Sequence, residues 1–130
     1  MIYITQDAKG RDVVNIHHGD DGALQIPLTN EATGEAYELD ATEYIVFTVR
    51  ETPTEASEVL IEARSEGGSN VVEFTHAQTA AVAVGEYSAD AQLLTRDGKY
   101  VTVWPRLESK DRTSEANRKN FCIMSEVTRP

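Results

Sequence analysis

An all-β, immunoglobulin-like antiparallel β-sandwich with a tyrosine corner and one short helical turn is the fold this sequence predicts, and three observations predict it. Apolar residues alternate at period two along much of the chain, interrupted at short intervals by turn-forming residues. The run Val82-Ala83-Val84-Gly85-Glu86-Tyr87-Ser88-Ala89-Asp90-Ala91-Gln92-Leu93 has the form of a tyrosine corner. There an apolar residue and a glycine that lets the chain turn precede a tyrosine entering an alternating strand. Such a tyrosine buries its ring, and its hydroxyl bonds backbone a few residues upstream, here between Thr79 and Val84. Third, Thr75-His76-Ala77-Gln78 has capping-box spacing, in which a threonine hydroxyl and a glutamine side chain satisfy each other's backbone amides. It predicts a single helical turn crossing between the sheets.

The elements follow in order. Val14 and Ile16 alternate with Val13, Asn15 and His17, and the turn Gly19-Asp20-Asp21-Gly22 comes next. Its residues tolerate left-handed backbone. Leu24, Ile26 and Leu28 form the following strand, where Pro27, lacking an amide donor, implies a free edge. After the turn at Thr33-Gly34-Glu35, Ile45, Phe47 and Val49 mark the most apolar strand, expected to be central. Leu60, Ile61 and Ala63 form a shorter strand closed by Gly67-Gly68-Ser69-Asn70, and Val72 and Phe74 share the buried face of the next.

The hairpin around Asp97-Gly98 admits two registers. A two-residue loop pairs Leu93 with Thr102 and sends Val101 and Val103 to the face opposite Tyr87 and Ala89. A three-residue loop, with Gly98 left-handed in a bulge, pairs Leu93 with Val101 and Ala91 with Val103. A one-residue slip exchanges core and solvent faces, so the register that gathers the apolar residues is expected. Tyr100, Thr102 and Trp104 then point outward. Trp104 is either half-covered by the loop after it or, with Tyr100, part of an aromatic patch that meets another protein, since these residue types anchor interfaces. Tyr100 and Trp104 are therefore the candidate partner-binding residues. Residues 106–120 carry little apolar content and form a long polar loop of the kind that tends to be functional; Phe121 and Ile123 supply the final strand.

Length and charge narrow the function. At 130 residues, the chain (1–130) is read as one domain with 40% hydrophobic content. Its formal charge of -10 repels phosphate backbones and anionic lipid surfaces, so neither nucleic acid nor membrane is an expected partner. A protein, a sugar or a cation fits better. Cys122 is the single cysteine, which excludes an internal disulfide and leans towards a reducing compartment. No basic-then-apolar leader is visible at the start, so the expectation is a protein made in a cytoplasm.

Chemical constellations are sparse. His17, His18, Asp20 and Asp21 are ligand types, but adjacent histidines on a strand point to opposite faces. A structural turn without metal is expected there. Cys122 with His76 has the chemistry of a nucleophile and base, yet nothing in the sequence places them together, and a strand cysteine packs as a small hydrophobe. Gly67-Gly68 opens no helix, so it is not a phosphate loop. The expectation is a protein that is not an enzyme and holds no cofactor.

A resemblance adds to this reading. His18-Gly19-Asp20-Asp21 ahead of Leu24, Ile26 and Leu28, the strand Ile45-Val46-Phe47-Thr48-Val49-Arg50, Val84-Gly85-Glu86-Tyr87-Ser88-Ala89-Asp90, and Leu93-Leu94-Thr95-Arg96-Asp97-Gly98-Lys99 together resemble the N-terminal domain of phage baseplate upper proteins. The likeness spans most of Val13 to Trp104. It implies an immunoglobulin-like structural protein of a phage or prophage virion (tail, baseplate or head decoration), made in the bacterial host cytoplasm. It implies contacts with other virion proteins or with copies of itself, and no catalytic residues. The long polar segment before Phe121 and the lack of a larger receptor-binding or trimerising region depart from that family. A carbohydrate-binding sandwich module, with Tyr100 and Trp104 stacking on a glycan, is the alternative.

Overall fold

The computed structural model describes residues 2–8, 10–30, 32–52, 56–105 and 119–125. Of the expected polar loop at 106–120, residues 106–118 lie outside the described residues. The elements are β1 (Ile2–Gln6), β2 (Asp12–His17), β3 (Gly22–Gln25), β4 (Tyr44–Arg50), β5 (Val59–Arg64), β6 (Val71–Phe74), α1 (His76–Ala80), β7 (Gly85–Leu94), β8 (Tyr100–Trp104) and β9 (Phe121–Met124). They make an all-β, sandwich-like fold. One sheet has seven strands in the order β1-β2-β9-β7-β4-β5, with β8 also paired to β7; the second is the pair β3-β6.

Alternation explains the core. Ile45, Phe47 and Val49 on β4 are fully buried, and β4 has β7 on one side and β5 on the other. Val72 and Phe74 face them from β6, and Leu24, Ile26 and Leu28 complete that layer. Phe47 meets Phe74 edge to face, with centroids 5.4 Å apart, and Phe121 leans on both rings at 5.8 Å. Such aromatic contacts stabilise by about 0.5–1.5 kcal/mol beyond the area they bury.

The corner and the cap form as expected. Tyr87 is buried and its hydroxyl donates to the Ala83 carbonyl at 2.5 Å. Burial, with Glu51 adding to it, pushes its phenol pKa up. Gly85 does not take the turning role expected of it: it lies in β7 without a positive φ. Thr75 Oγ1 accepts from the Gln78 amide at 3.2 Å while Gln78 Oε1 accepts from the Thr75 amide at 2.9 Å. The helical turn carries the chain from β6 in the small sheet to β7 in the large one. Gly67 supports the turn after β5, where a Cβ would come within 2.3 Å of the Ala41 carbonyl oxygen.

Three features depart from the expected sandwich. The sheet is not purely antiparallel, because β2 and β9 run parallel, with Val14 opposite Phe121 and Ile16 opposite Ile123. These strands come from opposite ends of the chain, so no tight hairpin imposes antiparallel pairing on them. An additional strand, β1, pairs with β2 through a turn in which Asp7 accepts from the Arg11 amide at 3.0 Å. The third strand is short: β3 ends at Gln25, and Ile26 continues only through Asn70, which accepts from its amide and donates to its carbonyl.

The final strand is split in two. β8 and β9 lie along the same flank of β7, β8 against its second half and β9 against its first. Continuing one residue per step from Trp104 opposite Ala91 would set position 108 opposite Tyr87; Phe121 stands there, thirteen residues further on. Asn120 bridges the junction. Its side-chain amide accepts from Ala89 N–H at 2.7 Å and donates to Ala89 C=O at 2.9 Å, which is what a paired strand would do. Its own amide donates to Tyr87 C=O at 3.0 Å.

Candidate functional site

The hairpin that carries Tyr100 and Trp104 is built from its turn outward. Gly98 takes φ 78°, a conformation glycine adopts without steric penalty. Thr95 N–H donates to Lys99 C=O at 2.9 Å, and Thr95 Oγ1 accepts from Lys99 N–H at 3.1 Å. Leu93 pairs with Val101 and Leu94 with Tyr100, as the three-residue loop requires.

The register then shifts. Thr102 stands opposite Gln92, but Trp104 rather than Val103 stands opposite Ala91. Val103 is the extra residue of a bulge, and the bulge turns Trp104 to the face of Ala91. The expectation that Trp104 points away from the core is therefore corrected. Its ring stacks on Phe47 with centroids 5.6 Å apart and planes 29° from parallel, and it packs half-buried against the core. Tyr100 is outward as expected, at 66% exposure. Val101 was expected in the core and is 47% exposed. It lies opposite Leu93, which is buried, yet its own side chain is left open.

Trp104 also forms one wall of a cleft of about 390 Å³, with Ile4, Val14, Leu24 and Ile26 as apolar walls and Asp12 and Gln25 as the polar side chains among the described residues. The cleft opens between the margins of the two sheets, beside β1 and β3. Its lining suits an apolar group better than a sugar, which needs several hydrogen-bond partners.

The histidine and aspartate turn has a structural role. His76 Nδ1 lies 2.5 Å from the Gly19 carbonyl oxygen, the His76 amide donates to Asp21 Oδ1 at 2.5 Å, and Thr79 Oγ1 donates to Asp20 C=O at 2.8 Å. The turn between β2 and β3 is thus fastened to α1. His17 Nδ1 is 3.9 Å from Asp20 Oδ2, while the His18 amide donates to Met124 C=O at 2.9 Å. Among the described residues no group of three or more His, Cys, Asp or Glu side chains gathers as a metal site.

Cys122 sits on β9 between Asn15 of β2 and Glu86 of β7. Burial raises its thiol pKa, and Glu86 raises it further, which opposes thiolate chemistry. His76 is engaged with Gly19 instead.

Two polar groups carry more structure than their residues announce. Glu43 is only 3% exposed. Its carboxylate accepts from the Tyr37 hydroxyl at 2.9 Å and from the Asp40 amide at 3.2 Å, and the bond to Glu43 is the main cause of a raised Tyr37 pKa. The spacing Asp40-x-x-Glu43 is a capping-box pattern that reading for strands passes over. Asn120 carries no such signal, since an asparagine at the end of a polar run has the composition of a loop.

Comparison with protein-family models, with curated proteins and with solved structures found no match.

Proposed function

We propose that this protein is a non-enzymatic structural or assembly module of a phage or prophage virion, in its tail, baseplate or head decoration, made in the bacterial host cytoplasm. The observation that carries the reading is the margin of the large sheet. β1 (Ile2-Tyr3-Ile4-Thr5-Gln6) and β8 (Tyr100-Val101-Thr102-Val103-Trp104) each pair with a single strand among the described residues, and neither contains a charge. Sandwiches ordinarily guard such edges with lysine, proline or inward charge. In a chain of which 26% is charged, two uncharged edges suit contacts with other proteins. The motifs behind the resemblance to baseplate upper proteins serve the fold: Tyr87 makes the corner, and Asp20 and Asp21 fasten the turn to α1. A glycan-binding platform of Tyr100 and Trp104 is less well supported, because one of its two rings is engaged with Phe47.

The test is location. Particles purified from the host that carries the gene, after induction, are probed with antibody against this protein. The reading expects the protein in the particle fraction, co-purifying through a density gradient. Recovery only in the soluble host fraction overturns it.

A further inference from the structure

The cleft beside β1 and β3 combines three kinds of surface. Ile4, Val14, Leu24 and Ile26 line it from both sheets, and Trp104 closes one side. Phe47 stacks on one face of the indole, and the cleft borders the rest of the ring. Asp12 brings a carboxylate. It precedes Val14 and Ile16 in the same alternating row of β2, so it shares their core-facing side. Those two are buried, whereas Asp12 is exposed. A negative charge is thus set on the inner face of the large sheet, at the margin where the layers part.

These surfaces sort ligands by chemistry. An anion meets Asp12 and the -10 charge of the chain, and a wholly apolar group gains nothing from the carboxylate. A lysine head is a compact, strongly hydrated charge that loses much on entering an apolar cleft. A guanidinium is planar and more weakly hydrated, stacks on aromatic faces and meets a carboxylate with paired donors. Its apolar stem can lie along aliphatic walls. Within the reading as an assembly module, we infer that the cleft receives an arginine side chain of a partner protein. The stem lies against the apolar walls, the guanidinium against Trp104, and Asp12 is its anion. The net charge acts before contact, drawing basic surfaces towards the chain.

Trp104 is the one tryptophan of the chain, so its fluorescence reports on the cleft directly. The probe is the capped peptide acetyl-Ala-Arg-Ala-amide, titrated at low salt. Beside it run the same peptide with lysine and with citrulline, which keeps the shape of arginine and lacks its charge. The arginine peptide is expected to give a saturable change in emission, with the other two at least about fivefold weaker, as loss of a cation–π contact beside a carboxylate implies. Asp12→Asn is expected to bring the arginine and citrulline peptides level at an unchanged melting temperature, while Ile4→Ser weakens all three together. The peptide comparison is made on wild type, so it stands even where a variant unfolds. The absence of a saturable change overturns the inference, as does a citrulline or lysine peptide that binds as well as arginine. So does a folded Asp12→Asn that keeps the preference, or a folded Ile4→Ser that binds all three like wild type. A virion protein whose cleft ignores the arginine peptide overturns this site alone; a cleft that binds it in a protein absent from particles overturns the assembly reading alone.

Discussion

From Gly85 to Ala89, β7 is flanked by β9 and by the side chain of Asn120, and its inward residues Tyr87 and Ala89 are buried. From Ala91 to Leu94 the same strand is flanked by β8, where Val101 and Tyr100 are exposed. The inward face of β7 is buried along both halves, with Ala91 and Leu93 as enclosed as Tyr87 and Ala89, but the strand beside it passes from closed to open. Alternation decides which face a side chain takes, but burial requires a second layer over that face. In the first half that layer exists, and Phe121 and Phe74 meet over it. Beside the second half, Trp104 folds back onto Phe47, while Tyr100 and Val101 stay exposed.

The largest expected effect lies at the seam between the halves. Asn120→Ala leaves Ala89 N–H and C=O, both buried, without partners, and an unsatisfied buried group costs about 1–3 kcal/mol. A loss of about 2–4 kcal/mol in urea unfolding is expected. If the loss is below about 1 kcal/mol, Asn120 does not act as the missing strand partner.

Trp104→Ala comes next. Removal of large buried aromatics costs about 3–5 kcal/mol, and half-burial reduces this to roughly 2 kcal/mol. The melting temperature is expected to fall clearly while the association state changes little, since the ring lies against Phe47 and not on the outward side of β8. A variant that melts like wild type but no longer associates would return Trp104 to the surface.

Tyr87→Phe removes one hydroxyl and is expected to cost about 1 kcal/mol at neutral pH, the usual net value of such a bond. The pH dependence has a definite sign. The folded pKa of Tyr87 is raised above the ordinary value of 10.0, so its contribution is complete below that value and is lost as pH rises through the folded pKa. Wild type should therefore lose stability faster than the phenylalanine variant above about pH 10, and the gap between their unfolding midpoints should narrow. A gap that widens with pH would mean the hydroxyl is not held as a donor to Ala83.

These contrasts also show what the sequence could reveal. The corner, the capping box and the buried faces of β4, β6 and β7 were legible because each is a local pattern with one physical solution. The Leu93-to-Val101 register was legible from Gly98 and the shared apolar face. Trp104 was not, because a single bulged residue at Val103 reverses everything after it, and valine in a strand gives no sign that it will bulge. Val101 was misplaced for a different reason: its face was right, but whether another layer covers that face is a long-range fact. β1 was passed over although Ile2-Tyr3-Ile4 alternates. The parallel β2–β9 pair rests on a contact between distant parts of the chain, which no local pattern encodes. Of the two candidate site residues, Tyr100 stands where the sequence put it and Trp104 does not.

Gly85→Ala separates local geometry from motif at the smallest scale. A glycine ahead of a corner tyrosine invites the reading that only glycine can turn there. Yet Gly85 has no positive φ and pairs with Ile123 in regular strand. The atoms nearest to a Cβ built on it belong to the Tyr87 ring and hydroxyl, at 3.6–3.8 Å, which is ordinary van der Waals contact. Where the native backbone already suits alanine, the substitution restricts the unfolded chain and stabilises by about 0.4–1 kcal/mol. The expected result is an unfolding midpoint equal to or slightly above that of wild type, with the Tyr87 bond intact. Gly67→Ala is the control, because its Cβ would meet the Ala41 carbonyl oxygen at 2.3 Å and backbone must move to admit it. If Gly85→Ala destabilises as much as Gly67→Ala, the corner depends on glycine itself, and the first half of β7 is held more narrowly than its packing implies.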